Sequence, residues 1–535
     1  MIEMKSINLI RKSLVLGVLS LFVTTSIIPN ASSMNNYPRY HDNVSISYTS
    51  VLDIEYIYNI IRDLSYIIFT EYNESAGEIA KGRSFGTKGE HRAAEILYEN
   101  MTKLGLYTTM EQINNTPKYP ELIYGYDVLD YKLNLKNKSN DYNETTDSWI
   151  SAIKLDPPLV HEKIFNFTYE GLKIKQWPKT ILDWIKALAY DKKEENYVFI
   201  SDIEGGLSRN PDPNLPLDLI LMRKFFYPIR LIPSIGYTYF RRHLEQLFLD
   251  KFLNNCRGKI VFDFTNDTHD TGCNVDGNKI PTILINGTDC KRIVNDIDNY
   301  TIDFFVKEMY NKSVVCYNVI GQLNGTDPSK TVIVDCLYDS VWCQGTGDAA
   351  IGMGIVMGIA KYFADNNIVP KYNIKFIGFG GEEAGCRGAK YYEETHKDEN
   401  IIYVIDMNQV CSSQEYPRLT LNVIFNNFRY MNEIWPIVER TNYTEKVGNT
   451  DITKRCWPEG APSDEGIFAR NRPFKVKTVC FLEDFPWLMH HRDGLNHTVG
   501  DVFDNVDWNE VSVTGELVLN ITKYLTVDDV KNLLN

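Results

Sequence analysis

Cysteine is absent from the first 255 residues of this 535-residue chain, and no Cys-x-x-Cys pair occurs anywhere in it. Zinc fingers and ribbons, which need closely spaced ligands of that kind, are thereby excluded. Positive charge is also short: 56 Lys and Arg against 70 Asp and Glu leave a formal net charge of −14. Nucleic acid is held largely by basic groups that neutralise phosphates, so no nucleic-acid partner is expected. Beyond the N-terminus there is no apolar run of the roughly 20 residues that a membrane-crossing helix requires. What remains is the balance of a folded protein, 44% hydrophobic and 24% charged. One hydrophobic core stops growing at about 250–300 residues, so more than one domain is implied.

Lys5, Arg11 and Lys12 precede an apolar run from Leu14 to Ile28, closed by Pro29 and the small residues Ala31, Ser32 and Ser33. A basic region, a short apolar core and a small-residue site predict a signal peptide or N-terminal anchor over 1–33. The expected location is secreted or on the extracellular cell surface, with a membrane partner only if the segment is kept as an anchor. The 16 Asn-X-Ser/Thr sites, Asn43, Asn143, Asn286 and Asn324 among them, agree with an exported glycoprotein. The ten cysteines begin at Cys256. An even number in an exported chain suggests disulfides, with buried free thiols as the alternative.

Apolar residues recur at helical spacing from Val51 to Ile68 and from Gly89 to Leu104, with a turn-rich link at Gly82–Gly86 between them. From 126 to about 312 the texture is that of short strands and turns, as at Tyr197–Ser201, Gly258–Phe264 and Pro281–Ile285. From Cys316 strand and helix patterns alternate: strands at Thr331–Cys336, Tyr372–Phe379 and Ile401–Ile405, helices at Ala349–Phe363, Gly388–Glu394 and Trp508–Leu525. Near-continuous apolar strands alternating with helices predict an α/β fold, a mostly parallel sheet with helices on both faces. A β-rich domain over 126–315 is then inserted between an N-terminal part, 45–125, and the main part, 316–535.

Ligands gather beyond the carboxyl ends of such strands. Asp339 follows the first strand, Asp348 sits in the next loop, Glu382 and Glu383 follow the second strand, and Asp406 ends the third. Taken singly, Asp348 reads as a helix N-cap and Glu382–Glu383 as a solvated turn pair. Taken together, carboxylates at one end of a buried sheet repel and need protons, basic side chains or a metal. Lys and Arg are scarce nearby, Arg387 being the nearest in sequence, and His497 offers an imidazole. Asp, Glu and His together suit Zn²⁺ or a similar ion.

These residues resemble a known family. The run from Tyr317 to Val341, the segment Gly378-Phe-Gly-Gly-Glu-Glu-Ala-Gly, the strand end Val404-Ile-Asp-Met407, Ser463-Asp464 and His497-Thr-Val-Gly-Asp501 look like the motifs of the M28 zinc exopeptidases, in order. Gly82–Gly86 and Gly89–Glu95 resemble the opening helix of that family, and the middle region resembles a protease-associated insert. The resemblance implies a zinc exopeptidase-like fold in which Asp348 bridges two metals. Glu383 and His497 would complete the first site, Asp406 would hold the second, and Glu382 would be the general base. One position departs: where the family has His-x-Asp, this chain has Leu337-Tyr338-Asp339. Leucine cannot ligate, so the second metal loses an imidazole and Asp339, grouped with Glu382 as catalytic, loses the ring it would orient. Asp335, Cys336 and Cys343 are close in sequence and remain open as replacements. The reading is an exported zinc exopeptidase, an aminopeptidase acting on peptides or proteins, with one metal site complete and a second altered. The alternatives are an inactive ectodomain that binds a partner, and a related amide-bond enzyme such as a glutaminyl cyclase or carboxypeptidase.

Overall fold

The structure is a computed structural model that describes residues 50–527 apart from 68–69, 74–76, 81, 139–141, 146–147, 152–162, 177–196, 201–255, 264–281, 312, 342, 412–418, 449, 473–474 and 485–500. All described residues belong to the compact unit Val44–Asn535. The signal-like segment 1–33 and His497 lie outside the described residues.

The main sheet has eight strands: β1 Tyr107–Gln112, β2 Tyr317–Leu323, β3 Asp327–Leu337, β4 Tyr372–Phe379, β5 Ile401–Met407, β6 Leu419–Phe425, β7 Thr450–Cys456 and β8 Lys477–Asp484. Their order is β7-β6-β8-β5-β3-β4-β2-β1. The central run β4-β3-β5-β8 is parallel throughout. β2 and β1 continue it antiparallel on one side, and β6 joins β8 antiparallel on the other. Residues 331–337 of β3 are buried on both faces, as strands covered on both sides must be.

Among the described residues, the longer helices that cover the sheet are α1 Ile54–Ser65, α2 Lys88–Lys103, α3 Ile351–Asp365, α4 Arg387–Thr395, α5 Phe428–Arg440, α6 Asp464–Asn471 and α7 Trp508–Thr526. Alternation along the strands sends Val332, Val334, Phe376 and Ile405 to one face, against Ile57 and Ile61 of α1, Leu97 of α2, Ile355 of α3, Ile434 of α5 and Leu517 of α7. Ile333, Ile377 and Val404 face the other way, against Ala389 and Tyr392 of α4 and Ile467 and Phe468 of α6. Helices therefore lie on both faces. Their starts are written in the sequence: Asp53 accepts from the Tyr56 N–H, Thr87 from the Glu90 N–H, and Asp507 from those of Asn509 and Glu510.

Between Gly125 and Asn311 the strands pair only among themselves, as a second eight-stranded sheet. The short strands expected near Tyr197, Gly258 and Pro281 are present as Tyr197–Ile200, Cys256–Asp263 and Thr282–Asn286, and three further strands are long: Gly125–Asn137, Lys163–Gln176 and Tyr300–Asn311. For seven of the ten cysteines the disulfide expectation is corrected in favour of buried or partly buried thiols, while Cys273 lies outside the described residues. Cys316, Cys336, Cys343, Cys386, Cys411, Cys456 and Cys480 are free thiols. Burial is satisfied otherwise, Cys316 donating to Glu90, Cys336 to the Ala349 carbonyl and Cys411 to Thr514.

Close packing of α3 on the sheet is what brings the first loop of the site to the strand ends. A Cβ on Gly352 would lie 2.5 Å from the Met407 carbonyl oxygen and 2.7 Å from Cys336 Sγ, whereas one on Gly358 would meet only the side chain of Ile57. Helix propensity favours alanine at both positions by ~1 kcal/mol. Overpacking against backbone costs ~1–3 kcal/mol and outweighs that gain. A Gly358 Cβ would lie 2.5 Å from the buried Ile57 side chain, which can shift more readily than backbone, so Gly352→Ala is expected to lower the urea midpoint more than Gly358→Ala does; equal effects would show that the contact at β5 does not constrain α3.

Candidate metal centre

The loop after β3 is tied down by a cation that the strand-end pattern does not reveal. Arg83 is fully buried, and among the described residues it is the only basic side chain that is. Its guanidinium donates to the carbonyls of Leu64 (3.0 Å), Tyr338 (2.7 Å), Gln344 (2.5 Å) and Gly345 (2.8 Å). Its backbone N–H reaches Ser340 Oγ at 3.0 Å. Burial pulls the guanidinium below its ordinary value, and the nearness of Cys343, Asp501, Asp339 and Asp348 opposes that shift. Arg83 thus fixes both ends of the segment that runs from Tyr338 to Gly345.

Asp339 lies in that segment, fully buried. Its carboxylate accepts the backbone N–H groups of Glu382 (3.0 Å) and Glu383 (3.2 Å), so it holds the loop after β4 in place. Burial and the nearby charge of Glu383 push Asp339 up to about 8 against the effect of those two N–H groups. Glu382 and Glu383 are half-buried rather than a solvated turn pair. Glu382 is raised well above the carboxylate range by burial, then by the charges of Glu383, Asp464, Asp348 and Asp339. The carboxylates named at separate strand ends are therefore electrostatic neighbours.

Asp348 is 5% exposed and has extended rather than helical backbone, φ −121° and ψ 85°. It is not the N-cap of α3, whose cap position is Ala350. The peptide that follows it, Asp348–Ala349, is cis. The N–H groups of Gly347 (2.6 Å) and Asp348 (3.1 Å) donate to the two oxygens of Asp501. Asp501 is itself buried and is pushed up to about 7, burial and Asp348 raising it while those N–H groups lower it. It is the anchor of the Asp348 loop, and it arrives from the far end of the chain.

Asp406 at the end of β5 is fully buried. Its Oδ2 accepts from Ser463 Oγ at 2.6 Å, while Oδ1 has no hydrogen-bond partner. Burial pushes it up to about 6, and Ser463, Cys480 and the Glu465 N–H pull it down. Leu337 is fully buried within the larger apolar cluster. Of the possible replacements for its missing imidazole, Cys336 bonds the Ala349 carbonyl and belongs to that same cluster, and Cys343 lies beside Arg83. Asp335 is fully buried, with neither oxygen bonded. A buried carboxylate oxygen without a donor is a position that a cation would fill, so the residues fit a bound divalent metal.

Residues 318–522 match the model of peptidase family M28. No curated protein sequence matches the chain significantly. Among solved structures, a zinc aminopeptidase from Bacillus subtilis is similar at 16% identity and TM-score 0.56, over 90% of this chain and 97% of that one. An M28 peptidase precursor from Shewanella amazonensis is similar at 14% identity and TM-score 0.56, over 88% and 93%. The aminopeptidase from Aneurinibacillus sp. strain AM-1 aligns over 89% and 94%, at 14% identity and TM-score 0.50. At these identities the likeness is one of fold.

Removing the Arg83 clasp should be costly, because it would leave four buried carbonyls short of a donor. Arg83→Ala is expected to destabilise the protein by ~3–5 kcal/mol in chemical denaturation, the range for breaking a buried charged network. A loss below ~1 kcal/mol would mean that water serves those carbonyls equally well. The acids after β3, β4 and β5, the segment order and the family match coincide, and residues 318–522 are accordingly a peptidase family M28 domain.

Proposed function

We propose that this chain is an exported, metal-dependent exopeptidase that removes N-terminal residues from peptides. The observation that carries this reading is Asp339 holding Glu382 and Glu383 by their backbone N–H groups, with Asp348 and Asp464 in electrostatic reach of Glu382. Asp348, Glu383 and His497 would hold a Zn²⁺ ion, Asp406 would serve a second, and a zinc ion in such a site acidifies bound water and polarises a carbonyl. Glu382 is the general base: burial and the neighbouring carboxylates raise its proton affinity, which suits it to take a proton from water and pass it to the leaving amine. Asp339 positions Glu382 through the loop rather than touching substrate. The N-terminal pattern and the sequons support export, and among the described residues no helix is long and apolar enough to cross a membrane. The separate sheet between Gly125 and Asn311 is read as a protease-associated-like insert. The zinc aminopeptidases of like fold support the aminopeptidase choice within this reading.

Glu382→Gln removes the base but keeps the size of the side chain. With zinc supplied, kcat on aminoacyl-anilides is expected to fall by ~10²–10⁴-fold, with KM little changed. Unchanged turnover would remove Glu382 from the mechanism.

A second reading is favoured by Leu337, an apolar side chain buried where the resemblance implies an imidazole. On that reading the domain is an inactive, partner-binding relative. Leu337→His distinguishes the two: a silent parent that gains zinc-dependent turnover in the variant is an enzyme switched off by one residue. Silence of both on aminoacyl-anilides, with zinc absent from folded protein, supports the binding role.

A further inference from the structure

We propose a second metal site in this chain, made by Asp406, Glu465 and Cys480 with Asp335 beside them, on the α6-covered face of the sheet. Asp335, Asp406 and Cys480 stand in register on three adjacent parallel strands, β3, β5 and β8. Matched positions of parallel strands point to the same face, so the three side chains form a row. Glu465, in the first turn of α6, comes down on that row. Donor atoms of Asp406, Glu465 and Cys480 all lie within 4.8 Å of one another.

All four residues are fully buried. The carboxylates of Asp406 and Glu465 are bonded in the same way: one oxygen is tied to the protein and the other is open. Asp406 Oδ2 accepts from Ser463, whose hydroxyl in turn accepts from Asn408 Nδ2 at 2.7 Å, and Oδ1 is open. Glu465 Oε1 accepts the Ala461 N–H at 2.6 Å, and Oε2 is open. Both oxygens of Asp335 are open as well. Orienting bonds on one oxygen with the other left bare are what a ligating carboxylate requires. Protonation alone would lessen the repulsion yet leave these oxygens without partners; a dication answers both needs.

Carboxylate oxygens with one thiolate suit Zn²⁺ or Co²⁺ rather than Mg²⁺ or Ca²⁺, which take oxygen alone. All four side chains are fully buried, out of reach of a substrate, so the site is structural. Binding replaces the Cys480 proton: the S–H bond breaks, a sulfur–metal bond forms, one proton leaves to solvent and no group changes oxidation state. The site shares Asp406 with the proposed catalytic centre and rests on that reading only for its bearing on catalysis. Leu337 lies two residues nearer the strand end than Asp335, and the cation would sit below it, away from the position of the missing imidazole.

Cys480 is the only sulfur in the set, which makes the test specific. The full chain is stripped of metal, loaded with Co²⁺ and examined for thiolate-to-cobalt charge-transfer absorption in the near ultraviolet. The band is expected in the unaltered protein, in Glu382→Gln and in Cys336→Ser, whose thiol bonds the Ala349 carbonyl instead. It should be lost in Cys480→Ser, with one cobalt fewer per chain. No band in the loaded, unaltered protein, or a band that survives in Cys480→Ser, overturns the site. Should Cys480→Ser fail to fold, X-ray absorption at the cobalt edge of the unaltered protein decides: a sulfur neighbour supports the site, and oxygen and nitrogen neighbours alone overturn it. Turnover that depends on Glu382 without a band leaves the peptidase standing and removes this site, while a band without turnover does the reverse.

Discussion

Negative charge gathered in a dry place is the constraint around which this domain is arranged. Asp335, Asp339, Asp348, Asp406, Asp464, Glu465 and Asp501 are all buried at the carboxyl end of the sheet or against it. One basic side chain, Arg83, is equally buried among the described residues, and its donors are spent on four carbonyls. Desolvating an ionised carboxylate without a partner costs several kcal/mol, so a fold does not collect them for stability. The protein meets that cost locally where it can. Backbone N–H groups serve Asp339 and Asp501, a serine hydroxyl serves Asp406, and what remains bare marks where cations are called for.

The scaffold makes the arrangement rigid by tying loops to one another rather than to the helices beneath them. Asp339 belongs to the loop after β3 but holds the loop after β4, and Asp501 belongs to the C-terminal segment but holds the loop of Asp348. Arg83, from the N-terminal part of the chain, closes the circle by gripping the backbone on both sides of Asp339. Each loop is therefore positioned by a residue far away in sequence. Geometry of this kind holds the loop that carries Glu382 within the narrow tolerance that the proposed base role would demand.

The legible part of this design is the part encoded locally. Tyr372–Phe379 and Ile401–Met407 read as strands because both faces are buried and the runs are apolar. The acids that end those strands stand out because a structural role does not explain them. Residues between 408 and 507 are far less legible. β7 carries Asp451, Thr453, Lys454 and Arg455 on a sheet edge, and α5 contains Pro436, so neither shows a clean period. Arg83 reads as part of a turn, and Asp501 as the tail of a histidine motif; their roles arise from contacts more than 150 residues apart in sequence. Strand register is equally invisible to periodicity. That Asp335, Asp406 and Cys480 form one row depends on how three strands align, which no spacing along the chain encodes.

The departure at Leu337 gains a physical context from that row. An imidazole at the strand end would help to hold a cation beside Asp348 and Asp406; without it that hold is weaker, and their repulsion has to be met elsewhere. Asp406 and Asp335 are raised above the carboxylate range by burial itself. Water cannot compensate for the lost ligand in such a setting. A cation held deeper, between strands and the first turn of α6, can do so without reaching the strand end at all. On the proposed reading, the lost ligand and the bare oxygens two residues below it belong to a single arrangement, in which a cation at Asp406, Glu465 and Cys480 would neutralise charge inside the sheet and the strand ends would be left to the ion at Asp348, Glu383 and His497.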